Sequence, residues 1–177
     1  MIQFVYIIFF LNLALNCIAQ NDSINLYYKN FASGYFTNLD SAFKNVEKVY
    51  YIDVSRKDLR LISDDFTKFK NIQILQVFSC NIESITEKIG ELENLEKIDL
   101  SFNSIKTIPT SIINLKKLKI LDLSHNQIQK IPKEIYELES LETLILSKNP
   151  INFFEKRRII KKFKGKNVSI VFKSGLS

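Results

Sequence analysis

Leu95–Ile105 reads LEKIDLSFNSI and Leu118–Ile128 reads LKILDLSHNQI. Set one above the other at a shift of 23 residues, the apolar residues at positions one, four, six and eleven and the asparagine coincide. The shift extends both ways: Val49, Ile72, Leu95, Leu118 and Leu141 open five units, each 23 residues after the last. Their fourth positions are Ile52, Leu75, Ile98, Leu121 and Leu144, and their sixth positions are Val54, Val77, Leu100, Leu123 and Leu146. None is polar. A period of this length points to a stacked repeat architecture before any local secondary structure is assigned.

Positions four and six lie two residues apart, so they share one side of a short strand while positions three, five and seven share the other. A unit of this size cannot bury its apolar stripe alone. Neighbours must stack, with a parallel sheet on the concave side and short helical or irregular segments behind it.

The units follow the pattern LxxLxLxxNxL. Ile108-Pro109 with Ile112 and Leu115, and Ile131-Pro132 with Ile135 and Leu138, add the ending IPxxIxxLxxL. In these residues the chain resembles the leucine-rich repeat family, in the 23-residue class of short bacterial members, over residues 49–154. The resemblance implies an α/β leucine-rich repeat solenoid, a right-handed β-α superhelix with a concave parallel sheet and a capping helix at each end. It also implies a binding function without catalysis.

At position nine stand Asn103, Asn126 and Asn149. Each is expected at the turn out of its strand, where a buried amide satisfies backbone groups of adjacent units; leaving such groups unpaired costs about 1–3 kcal/mol each. Cys80 takes this slot in the second unit and is expected to be a buried, inert ladder thiol. Lys57 takes it in the first, where a local deviation is expected.

Leu39–Val49 places Leu39, Ala42, Phe43 and Val46 at helical spacing and reads as the N-terminal capping helix. Residues 20–38 show no usable period, so residues 20–48 form an N-terminal segment with its cap. At the other end, Asn152 with Glu155 three residues later starts a second helix that Gly165 ends. Phe153, Ile160 and Phe163, with Phe154 and Ile159, are expected to form its buried stripe. Val168–Phe172 alternates as a last edge strand.

Of the formal charge of +6, the segment from Glu155 to the C-terminus contributes eight Lys or Arg against one acid, leaving residues 1–154 at −1. The basic patch of this cap (residues 155–177) comprises Lys156, Arg157, Arg158, Lys161, Lys162, Lys164 and Lys166. Two readings of it stand: the solvated face of a cap, or a docking site for an anionic surface such as lipid, glycan or nucleic acid.

The chain opens MIQFVYIIFFLNLALNCIAQ, an apolar run followed by Cys17-Ile18-Ala19 and a polar stretch. Residues 1–19 read as a signal peptide cleaved after Ala19, which places the protein outside the cytoplasm, secreted or on the cell surface. In a second reading Cys17 is the lipidated first residue of a lipoprotein.

Composition narrows the chemistry. At 177 residues, 46% hydrophobic and 25% charged, this is a folded chain of one or two domains. One histidine and two cysteines exclude a His-pair metal site, a zinc cage and a disulfide framework. No phosphate loop, metal-ligand spacing or activated nucleophile is present, so no catalytic residue, metal, cofactor or small-molecule substrate is expected.

A protein partner is expected on the concave face, at Tyr51, Asp53, Ile74, Gln76, Phe78, Lys97, Asp99, Ile120, Asp122, Thr143 and Ile145. Tyr51, Ile74 and Phe78 form its apolar corner. Asp53, Asp99 and Asp122 recur at position five as an acidic strip, with Asp99 and Asp122 near enough to raise each other's pKa. Five strands about 4.8 Å apart offer only a few hundred Å², against roughly 800 Å² per partner in a standard interface. A partner must therefore also grip the rim and caps. The alternatives are a surface-associated module docking through the basic cap and an intracellular regulatory scaffold.

Overall fold

The structure, a computed structural model, describes residues 34–173. The expected signal peptide (residues 1–19), Cys17 and the segment up to residue 33 lie outside the described residues, as do residues 174–177.

Among the described residues, seven short strands form one parallel sheet: β1 (Tyr35–Phe36), β2 (Tyr51–Asp53), β4 (Ile74–Gln76), β6 (Lys97–Asp99), β7 (Ile120–Asp122), β8 (Thr143–Ile145) and β9 (Ser169–Val171), side by side in that order. Within the repeats the register repeats the sequence shift, with Ile52, Leu75, Ile98, Leu121 and Leu144 level across the sheet. These five and the position-six residues are buried without exception. The alternation along each strand therefore decides which side faces the core.

Behind the sheet each of the first four units carries a 3-10 helix: Asp64–Lys68, Glu87–Glu91, Thr110–Asn114 and Lys133–Glu137. Their Phe66, Ile89, Ile112 and Ile135 close the core from the back, with Phe69, Leu92, Leu115 and Leu138 buried just after them. Packing between these helices is close. A Cβ on Gly90 would meet the Ser111 carbonyl at 2.5 Å, so glycine is required there.

A second, two-stranded sheet pairs β3 (Leu61–Ile62) with β5 (Ser84–Ile85). It is extended by Thr86 N–H donating to Ile62 O at 3.2 Å. In the next unit Pro109 occupies the place of Thr86 and has no N–H to donate. The second sheet stops there.

The asparagines form the predicted ladder. Asn126 Nδ2 donates to Leu100 O of the preceding unit at 2.8 Å and to Leu123 O at 3.1 Å, while its Oδ1 accepts Ile105 N–H at 2.9 Å. Asn103 and Asn149 repeat these bonds, to Val77 O and from Ile82 N–H, and to Leu123 O and from Ile128 N–H. Cys80 fills the same slot, fully buried, its Sγ donating to Val54 O at 3.2 Å. A thiol cannot replace the amide oxygen, and Leu59 N–H turns to the backbone carbonyl of Cys80 instead, at 3.0 Å. Lys57, at position nine of the first unit, is exposed and takes no place in the ladder, which is the local deviation expected there.

Both caps differ from expectation. The N-terminal helix α1 spans only Leu39–Phe43, capped by Asn38 Oδ1 on Ser41 N–H, and a separate 3-10 turn follows at Val46–Lys48. Asn45, Val46 and Val49 have weak helix propensity, and the chain must straighten to enter β2. Before α1, β1 pairs parallel with β2 and extends the sheet, in a stretch where no period was visible.

At the other end, α2 (Phe153–Phe163) begins where Asn152 Oδ1 accepts Glu155 N–H at 2.9 Å and ends before Gly165 at φ 85°. Its buried stripe is Glu155, Ile159 and Phe163. The expected stripe is thereby corrected: Phe153, Phe154 and Ile160 are 65%, 80% and 55% exposed. Glu155 can be buried because Arg158 holds its carboxylate with two bonds, at 2.6 and 2.9 Å. Phe163 docks edge-on against Tyr136, with ring centroids 5.3 Å apart, and this contact belongs to the observed helix phase.

Candidate functional site

On the concave side the outward residues stand in level rows. The third-position row runs Tyr51, Ile74, Lys97, Ile120, Thr143, and the fifth-position row runs Asp53, Gln76, Asp99, Asp122, Ile145. The caps lengthen both rows. Tyr35 lies beside Tyr51 with ring centroids 4.6 Å apart, and Ser169 and Val171 lie beside Thr143 and Ile145. Sequence reasoning missed Tyr35, because a two-residue strand before a short helix carries no periodic signal.

Most of these residues are half-buried. Ile74 is only 4% exposed, so it presents little area of its own. At the corner, Phe78 lies beneath the Arg56 guanidinium, 5.4 Å from the ring centroid.

The recurrent aspartates have a local task. Asp53, Asp99 and Asp122 each accept the N–H of the serine two residues on, at 3.1, 3.0 and 2.8 Å. Asp99 also accepts the Ser101 hydroxyl at 2.7 Å. These bonds hold the turn that leaves the strand. Gln76 separates Asp53 from the other two, so the acidic strip reduces to the adjacent pair Asp99 and Asp122. The Asp122 carboxyl is pushed up chiefly by burial, opposed by its Ser124 bonds, with Asp99 a smaller upward influence.

At position eight the structure shows a feature absent from the expectations. Arg56, Ser79, Phe102, His125 and Lys148 all adopt left-handed backbone, with φ of 60°, 55°, 55°, 52° and 56°. None is glycine or asparagine, the residues that favour this region. The cause lies between units: the N–H groups of Arg56, Ser79, Phe102 and His125 donate to Phe78, Ser101, Ser124 and Ser147 carbonyls at 2.9–3.0 Å. The side chains at these positions form a rim beside the concave face, and Phe102, 54% exposed, stacks on His125.

The basic cap divides into two groups. Arg158 is tied to Glu155 and to Ile131 O, and Lys166 Nζ donates to Tyr136 O. Among the described residues, Lys156, Arg157, Lys161, Lys162 and Lys164 form no salt bridge.

Cys80 is buried and its thiol is pushed up by desolvation, opposed by backbone hydrogen bonds, which agrees with an inert ladder residue.

Residues 89–151 match the leucine rich repeat family. A leucine-rich repeat protein of Leptospira interrogans is similar at 33% identity and TM-score 0.61, covering 70% of this chain and 30% of that one. An internalin of Listeria monocytogenes is similar at 19% identity and TM-score 0.58, covering 75% of this chain and 44% of that one, a likeness of fold. The chain spans less than half the length of either neighbour. No curated protein matches it. The 23-residue period, the asparagine ladder and these likenesses agree that the chain is a leucine-rich repeat protein, folded as an α/β solenoid.

Proposed function

We propose that the protein is a non-enzymatic binding module that takes a protein partner on the concave sheet and the adjoining position-eight rim. The observation that carries this reading is the apolar and aromatic content of a solvent-facing surface. Tyr35 and Tyr51 pair at one end of it, Arg56 covers Phe78, and Ile120 and Ile145 continue the rows. Aromatic and arginine side chains are the residues most enriched at interface hot spots. Adding the rim to the sheet also supports the area that the sheet alone lacks.

The reading is tested with a photo-crosslinking residue at Gln76, on the concave face, and at Lys133, on the back, in the native host. A partner crosslinked from Gln76 and lost in Tyr51→Ala/Phe78→Ala supports it. Crosslinking from Lys133 alone would count against it. Export is part of the proposal and rests on residues 1–19; an intact mass lacking them in the extracellular fraction supports it, and retained Met1 opposes it.

A second reading concerns the basic cap. Five cations without salt bridges support contact with an anionic surface. Salt-sensitive retention on heparin is its test.

A further inference from the structure

The phase of α2 turns apolar side chains outward on the same arc as the cations. At about 100° per residue, the arc opposite Glu155, Ile159 and Phe163 holds Phe153, Arg157, Lys161 and Phe154, with Ile160 at its edge. Phe154 and Ile160, together with Val168 just before β9 and Ile170 within it, border an open groove of about 980 Å³ rimmed by Arg157, Lys161 and Lys164. From this geometry we infer that the C-terminal cap is an interfacial anchor that seats on an anionic lipid bilayer, with Phe153, Phe154 and Ile160 entering the headgroup boundary. The inference rests on the anionic-surface reading of the cap and names the surface.

Charge and exposure choose the occupant. A second copy of this cap is excluded as the preferred partner, because it would bring two sets of unpaired cations together. An acidic protein segment would satisfy the lysines but has no need of aromatic rings that protrude. Phe153 and Phe154 are 65% and 80% exposed, meet each other edge-on at 5.9 Å, and are flanked by cations. A bilayer interface satisfies both groups together. Rings and aliphatic side chains enter the apolar boundary while lysine and arginine stems lie along it and their heads reach lipid phosphates. The Arg157 guanidinium lies 5.8 Å from the Phe153 centroid, so a cation already sits against one of the exposed rings.

The sequence contains no tryptophan, so Phe154→Trp supplies a single indole at the proposed contact, excited at the red edge of its absorption where the seven tyrosines do not respond. The full chain is used throughout, and the signal reports residue 154 alone, so lipid contact elsewhere does not register. The expected result is a blue shift with vesicles of phosphatidylcholine and phosphatidylserine, and none with phosphatidylcholine alone. Reversal of Lys161 and Lys164 to Glu in that background should weaken the vesicle-dependent shift at least about tenfold in lipid concentration. Heparin retention without a shift would leave the anionic reading standing and overturn the bilayer. Neither retention nor shift would overturn both. An equal shift with polyglutamate, or a lipid shift that survives charge reversal, would also overturn the inference.

Discussion

The ring of Phe102 lies flat on the imidazole of His125, with centroids 3.9 Å apart and planes inclined by 11°. The two residues occupy position eight of consecutive units, so the repeat itself brings their side chains face to face. A double-mutant cycle with Phe102→Ala and His125→Ala should give a coupling of about 0.5 kcal/mol, at the low end for ring pairs because Phe102 remains half in water. Urea unfolding of the four proteins measures it, and additive losses would show that the stack contributes nothing beyond burial.

Asn126→Ala removes an amide that serves both a preceding unit and its own turn. It leaves Ile105 N–H without its partner in a buried site and takes one of two amides from Leu100 O, which keeps Asn103 Nδ2 at 3.0 Å, so a loss of about 2 kcal/mol is expected. The unfolding temperature should fall by about 6 °C or more. A loss under about 0.5 kcal/mol would mean that water replaces the amide.

Lys148 adopts left-handed backbone at φ 56° and is exposed. Lys148→Gly should stabilise the fold by about 0.5 kcal/mol, the relief of the left-handed penalty less the entropy glycine loses on folding. Lys148→Val should destabilise it by about 1 kcal/mol or more, since β-branching is least compatible with this region. Chemical denaturation of the pair checks the order.

For Asp122, burial raises the folded-state pKa above that of the unfolded chain. The folded state therefore binds its proton more tightly, and stability rises as pH falls through the folded pKa; above it the full cost of the buried charge is present. Asp122→Asn keeps an oxygen for Ser124 N–H and removes the charge. It should raise the melting temperature at neutral pH by about 1–2 °C, a modest figure because solvent screens the partly open carboxylate. The gain should disappear in acid. A gain independent of pH would assign it to another cause.

The strand and core positions were legible because a parallel solenoid repeats its inside and outside with the same period as its sequence. Ile98 and Leu121 could be placed level before any coordinates, as could the asparagine ladder. The left-handed backbone at Arg56, Phe102 and His125 was not, since it is set by bonds to the next unit and the residue types carry no conformational mark. In α2 both Ile160 and Ile159 offered an apolar contact, and the phase belongs to a pairing of Glu155 with Arg158 that hydrophobicity does not reveal. Of the candidate contact residues, sequence placed the rows but misjudged how open they are: Ile74 is covered, and Tyr35 was missed.

The ladder is uneven along the chain. From the second unit onward neighbours are clasped by an amide that donates and accepts, whereas the first is held to the second by the Cys80 thiol and a backbone contact at Leu59. The solenoid should consequently fray from its first unit, with amides of Ile52 and Val54 exchanging with deuterium sooner than those of Leu121 and Leu123. A ligand seated at Tyr51 and Phe78 would then clamp the loosest end of the spring, and its affinity would include the work of closing it.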